Sequence, residues 1–162
     1  MSAQPPGSSS TADSATIRAS IQIMALGALL AGGVCLYFGF TWLADAPGSA
    51  SKEAIQVWYA VDHGFQWALR TVGVAFLAVA ALAAAGQRAG ALLGTIVESA
   101  FALLMLAMAI DTFLEARADG QLDATVILLL VLMAVGISAA RHSFMLYARS
   151  APDRGAGRWT DQ

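Results

Sequence analysis

Four apolar stretches constrain what this chain can fold into more than any other feature, because each is long enough to cross a bilayer. They run over residues 21–42, 67–86, 91–110 and 122–140. A hydrocarbon core about 30 Å thick is spanned by about 20 helical residues rising about 1.5 Å each. Lipid offers no hydrogen bonds to bare backbone, so such runs must be helices or closed barrels. Barrel strands alternate polar and apolar residues, and the run LLLVLMAV over Leu128–Val135 does not. The spacing predicts an all-α polytopic membrane fold. Its four transmembrane helices lie at about 18–43, 53–86, 90–115 and 121–148 and form an up-down-up-down antiparallel bundle. One transmembrane domain then covers residues 17–149, with the lipid bilayer as its first partner.

Composition agrees. Of 162 residues, 58% are hydrophobic and 12% charged, against about 25% charged in soluble domains. The length has room for one bundle and no second domain. The one cysteine, Cys35, lies inside the first apolar run, which leaves no internal disulfide and no CxxC metal site. The two histidines, His63 and His142, fall on different segments, so neither a metal site nor a cofactor site is expected.

Residues 1–16 are rich in Ser, Pro and Gly and are expected to form a disordered tail. They lack the basic start and short apolar run of a signal peptide, so the first helix is expected to serve as an uncleaved anchor. Residues 150–162 contain Pro152, Gly155 and Gly157 and are expected to form a second flexible tail.

Charge sorts by connection. Arg18 precedes the first span, Arg88 lies between the second and third, and Arg141, Arg149, Arg154 and Arg158 follow the fourth. The other two connections are acidic. Asp45 and Glu53 flank Lys52, and Asp111, Glu115, Asp119 and Asp123 surround Arg117. An excess of Lys and Arg marks the cytoplasmic side, so both termini are expected there. The Ala-, Gly- and Arg-rich composition points to the inner membrane of a bacterium. Tyr37, Phe38, Phe40, Trp42, Trp58, Tyr59, Phe65 and Trp67 cluster toward the opposite side as an interfacial belt.

The second helix is expected to start before its span. Pro47-Gly48 makes a turn, and Ser49 or Ser51 can cap the helix that begins after it. Residues 53–66 keep helical spacing with Ile55, Trp58, Tyr59 and Phe65 apolar, which reads as an amphipathic N-terminal extension. The alternative is a separate short helix broken near Gly64. Small residues four apart (Gly27 and Ala31, Ala28 and Gly32, Gly90 and Gly94, Gly136 and Ala140) allow close helix approach. They serve internal packing, contacts with other subunits or self-association.

Glu98 is the ionisable residue farthest from either surface. It lies ten residues beyond Arg88, roughly 15 Å by helical rise. A charge at that depth costs at least a few kcal/mol unless neutralised or paired. Hairpin register about the third connection puts Glu98 level with about Ala140, beside Arg141, and predicts a Glu98–Arg141 intramembrane pair, with Ser138 one turn away. Such a pair can set helix register, or its carboxylate can carry a proton-linked or ligand-binding role. At the other surface, Asp62, Gln66 and Arg70 share one helix face at four-residue spacing, with Tyr59 and His63 beside them. Hairpin symmetry about Gln87–Arg88 puts Arg70 level with about Met105, and its outward reach brings Asp111 near enough to pair with it. This polar cluster of Asp62, His63, Gln66, Arg70 and Asp111 reads as a solvated rim, as a small-ligand site, or, through His63, as a pH sensor, since histidine is the residue type used for such switches.

P-loop, dinucleotide-binding, zinc-protease and nucleophile-elbow motifs are all missing from the sequence. Asp62-His63 is the nearest catalytic-looking pair, but adjacent helical residues point about 100° apart. No enzyme activity is expected. A net charge of −2 argues against a nucleic-acid partner, while the cytoplasmic arginines suit anionic lipid head groups. The leading expectation is a non-enzymatic structural or accessory component of a membrane assembly. One alternative is a small oligomeric transporter or channel using Glu98. The other is lipid or small-ligand binding near Asp62, His63 and Arg70.

Overall fold

The computed structural model describes residues 8–41, 51–118 and 124–149. They form four helices, α1 (Ser8–Thr41), α2 (Lys52–Ala84), α3 (Ala89–Ala118) and α4 (Ala124–Arg149). Each contains a segment long and apolar enough to cross a membrane. Only 22–39% of the most apolar window of each span is buried. Large side chains such as Ile23, Leu30, Phe40, Leu103 and Ile127 are more than half exposed. A soluble protein could not keep so much apolar surface in water. The four spans mark a multi-pass membrane protein whose outward faces are solvated by lipid.

Local chemistry explains the helix ends. The α1 helix begins at Ser8, inside the stretch expected to be a disordered tail. Pro5, Pro6 and Gly7 are the nearest helix-breaking residues upstream, and no Pro or Gly follows until Gly27. The α2 helix is capped by Ser51, whose hydroxyl accepts from the Ala54 N–H at 3.2 Å. It then continues through Gly64 without a break, so the amphipathic stretch and the span are one rod. At its other end Gly86 adopts φ 66°, the left-handed region that glycine enters at least cost. The Gly86 N–H donates to Ala83 O and the Gln87 N–H to Leu82 O, both at 2.9 Å. This Schellman closure satisfies two terminal carbonyls and reverses the chain within four residues, 85–88. Residues 42–50 and 119–123, which include Trp42, Asp45, Ser49, Asp119 and Asp123, lie outside the described residues, as do the terminal stretches 1–7 and 150–162.

Packing runs in chain order. The helix pairs α1–α2 and α3–α4 share long seams, α2 packs on α3, and α1 touches α4 only thinly. Small residues let the backbones meet. A Cβ on Gly32 would lie 3.0 Å from Gly73 O, and one on Gly73 would lie 2.8 Å from Leu36 Cγ. On the other seam, a Cβ on Gly136 would lie 3.1 Å from Ala102 Cβ, and one on Gly94 would lie 3.3 Å from Ser143 Oγ. Close approach of this kind maximises dispersion contacts where lipid removes any hydrophobic drive between helices. Val79, Ala83, Ala91 and Ser143 are almost wholly buried.

Candidate functional site

Two arginines near the helix ends are engaged in packing. Arg70 Nε donates to Gly39 O at 2.7 Å, one of the last carbonyls of α1. Its guanidinium lies 4.4 Å from the Phe40 ring centroid and 5.1 Å from that of Trp67. A cation is favoured there, because a helix C-terminus presents unpaired carbonyls and partial negative charge. Arg88 does the same for α4. Its NH2 group donates to Tyr147 O at 3.1 Å, and the guanidinium lies 4.3 Å from the Tyr147 ring. Arg70 therefore ties α2, and Arg88 the α2–α3 turn, to the C-terminal turn of another helix.

The polar cluster expected around Asp62 divides. Gln66 donates to Asp62 Oδ2 at 2.9 Å. Asp62, Gln66 and Asp111 line one cavity of about 450 Å³ between the start of α2 and the end of α3, together with Thr112, Glu115 and the Trp58 and Phe65 rings. His63 is exposed and accepts at Nε2 from the Trp67 indole N–H at 3.0 Å. Arg70 does not line this cavity, since it reaches to α1.

Glu98 is the one charged residue that is more than nine-tenths buried, at 7% exposure among the described residues. Its carboxyl shares a hydrogen bond with Ser143. The Ser143 hydroxyl also lies 3.6 Å from Met24 Sδ, which it can reach as a donor. Glu98 Oε2 has no hydrogen-bond partner. Arg141, expected beside it, is exposed. It lies two positions from Ser143, about 200° round α4. No ion pair joins it to Glu98, which meets Ser143 instead.

This arrangement follows from α4's buried stripe. Val126, Leu129, Gly136, Ala140 and Ser143 are buried, and Met133 and Tyr147 half-buried, at alternating spacings of three and four. Ser143 is on that stripe and Arg141 is off it. α4 is apolar all round, with Ile127, Leu128, Val131, Val135 and Ile137 exposed, so the stripe became visible only in the packed structure. Helix register alone selects a level on α4 and leaves the direction round the helix open.

Glu98 also forms part of the wall of a cleft of about 510 Å³. The cleft opens where α1 and α4 barely touch. One wall is Ile23, Gly27 and Ala31 of α1, the other is Val135, Ser138, Ala139 and His142 of α4, and Phe76 and Phe101 form the floor. Those two rings meet edge to face with centroids 5.8 Å apart. Gly27 stands over open space, since a Cβ there would have nothing within 4 Å. The cleft is apolar and open at the side, with one buried carboxyl in it. Such a site can accept a hydrogen bond from a molecule arriving through the lipid phase. Among the described residues, no group of three or more His, Cys, Asp and Glu is placed to hold a metal ion. Comparison with protein-family models, with curated proteins and with solved structures finds no match to this chain.

Proposed function

We propose that this chain is a non-enzymatic accessory component of a membrane assembly, and that it engages its companion through the cleft beside Glu98. In this reading the helices run up-down-up-down as an antiparallel bundle in a bacterial inner membrane, with both termini cytoplasmic. The opposed order of contacts supports the antiparallel arrangement. Gly39 faces Arg70 and Gly32 faces Gly73, so rising numbers on α1 meet falling numbers on α2. Gly94 faces Ser143 and Gly136 faces Phe101 and Ala102, so the same holds for α3 and α4. The clustering of Arg18, Arg88, Arg141 and Arg149 toward one end supports the orientation.

The observation that carries the functional reading is the buried Glu98 Oε2, unsatisfied among the described residues, beside a cleft that the four helices leave open. Buried polar atoms in complete structures are hydrogen-bonded, and the need is strongest in lipid. Among the described residues none supplies the missing donor, which leaves the place open to a companion. A non-enzymatic role is supported by the engagement of Arg70 and Arg88 in contacts between distant parts of the chain and of Gln66 and His63 in contacts within α2. Extraction in mild detergent, with identification of every protein and small molecule retained, tests the reading. A stoichiometric companion lost in a Glu98→Gln variant is the expected result. A strictly monomeric protein that retains nothing would reject it. Reporters fused to each terminus must also report the same side of the membrane.

The same cleft favours a second reading, a small oligomeric transporter with Glu98 as its coupling carboxylate. Proton or solute flux in liposomes that is unchanged by Glu98→Gln would reject that role.

A further inference from the structure

The chemistry of the cleft narrows what can occupy it. Its walls are aliphatic and aromatic, contributed by α1, α2, α3 and α4, and it opens on the side where α1 and α4 separate. A ligand can therefore enter sideways from lipid without crossing either surface. At the wall stands a carboxyl at 7% exposure with one oxygen unpartnered. Among the described residues no cation pairs with it, since Arg141 is exposed and Arg70 and Arg88 are held at helix ends. An ionised carboxylate in this setting needs both a counter-charge and N–H or O–H donors. A protonated amine supplies both on one atom. Ser138 and His142 offer further acceptors along the α4 wall, and the Phe101 ring offers a face to the cation. An alkyl or aryl body of a size to fill about 510 Å³ matches the remaining lining.

We propose that the α1–α4 cleft is a binding site for a lipophilic ammonium ion, a primary amine on an apolar body, whose N–H donates to Glu98 Oε2. The site resembles in kind the pairings that intramembrane carboxylates make with cationic groups. Binding requires the Glu98 side chain to turn so that Oε2, buried in the unliganded chain, faces the cleft while Ser143 keeps its bond to the other oxygen. This proposal rests on the reading of the cleft as the place where the chain engages a companion, and it adds the companion's chemistry.

Dodecylamine is the probe. The intact protein in mild detergent is titrated with it, and one-to-one adducts are counted by native mass spectrometry. Dodecanol, which donates but carries no charge, and dodecyltrimethylammonium, which is charged but has no N–H, serve as comparisons. Dodecylamine is expected to bind at least about tenfold more tightly than either, the factor that goes with one charge-assisted hydrogen bond. Glu98→Gln is expected to weaken dodecylamine by about tenfold or more. Gly27→Leu is the second variant. It fills the cleft from a position with open space around its Cβ and leaves Glu98 untouched, and it is expected to abolish the adduct. Unchanged helical circular dichroism and monodisperse elution show that each variant is folded. If Glu98→Gln does not fold, Gly27→Leu still decides. The proposal is overturned if no saturable adduct forms, if dodecanol matches dodecylamine, or if either folded variant binds as the parent does. A protein companion retained in detergent alongside dodecylamine indifference would sink the ammonium site and leave the accessory reading standing. Dodecylamine binding by a protein that retains nothing else would do the reverse.

Discussion

Two consecutive glycines in α1 should respond in opposite ways to the same substitution. Gly32 faces α2, where a Cβ would sit 3.0 Å from the Gly73 carbonyl oxygen and 3.1 Å from Leu77 Cδ2. Gly33 faces outward, and a Cβ there would meet nothing within 4 Å. Alanine in place of glycine gains about 0.8–1.0 kcal/mol of helix propensity at either position. That gain cancels when the two variants are compared. What remains is the overpacking cost at Gly32, about 1–3 kcal/mol, because the obstructing atom is backbone and can move only if the helices part. Gly33→Ala should therefore be neutral or stabilising by up to about 1 kcal/mol. Gly32→Ala should range from neutral to about 2 kcal/mol destabilising, leaving a gap of about 1–3 kcal/mol between them. Cys35 provides the assay. It is the one cysteine in the chain, sits one turn beyond Gly32, and is 3% exposed. A maleimide should label it only when α1 and α2 separate. Labelling in detergent across a denaturant series should be faster for Gly32→Ala and unchanged or slower for Gly33→Ala. Equal labelling of the two variants would refute the claim that backbone contact at Gly32–Gly73 sets the α1–α2 distance.

Arg70→Gln should cost about 1.5–3 kcal/mol, because the charged hydrogen bond to Gly39 O is lost along with stacking on Phe40 and Trp67. Thermal unfolding in detergent would show it as a lower midpoint. Arg70→Lys should recover only part of the loss, because an ammonium lacks the planar stacking surface. Ser51→Ala removes the cap on α2 and should cost about 1 kcal/mol, read as faster hydrogen exchange at the amides of residues 52–55 with the span itself unaffected. Exchange that rises throughout α2 would contradict a local cap.

How much could be read before folding differs between the frame and the contacts. The four spans were legible because lipid imposes a length and an apolarity that few other requirements produce. A serine cap at Ser49 or Ser51 was legible for a related reason, since capping depends on residues within four positions in sequence, and Ser51 is the one that caps α2. The continuity of α2 through Gly64 was open in the sequence, because a glycine inside a helix is tolerated at a cost of about 1 kcal/mol and its neighbours decide. Polar partners were harder. Hairpin register placed Arg141 at the level of Glu98, yet Ser143 is the side chain that meets it. The direction in which a side chain points depends on the rotation of its helix, and a single residue changes that by about 100°.

The sequence alone determined that lipid would be the solvent, how many helices would cross it, and where several of them would start and stop. Those are local or compositional demands, set by backbone hydrogen bonding in a medium without water. The tertiary arrangement decided which faces met. It turned Arg70 and Arg88 into ties on the ends of α1 and α4, buried Glu98 beside Ser143, and left a cleft between α1 and α4. These outcomes depend on the relative rotation and separation of helices, which arise from many small packing contacts summed over whole faces, and no short segment of the chain encodes them.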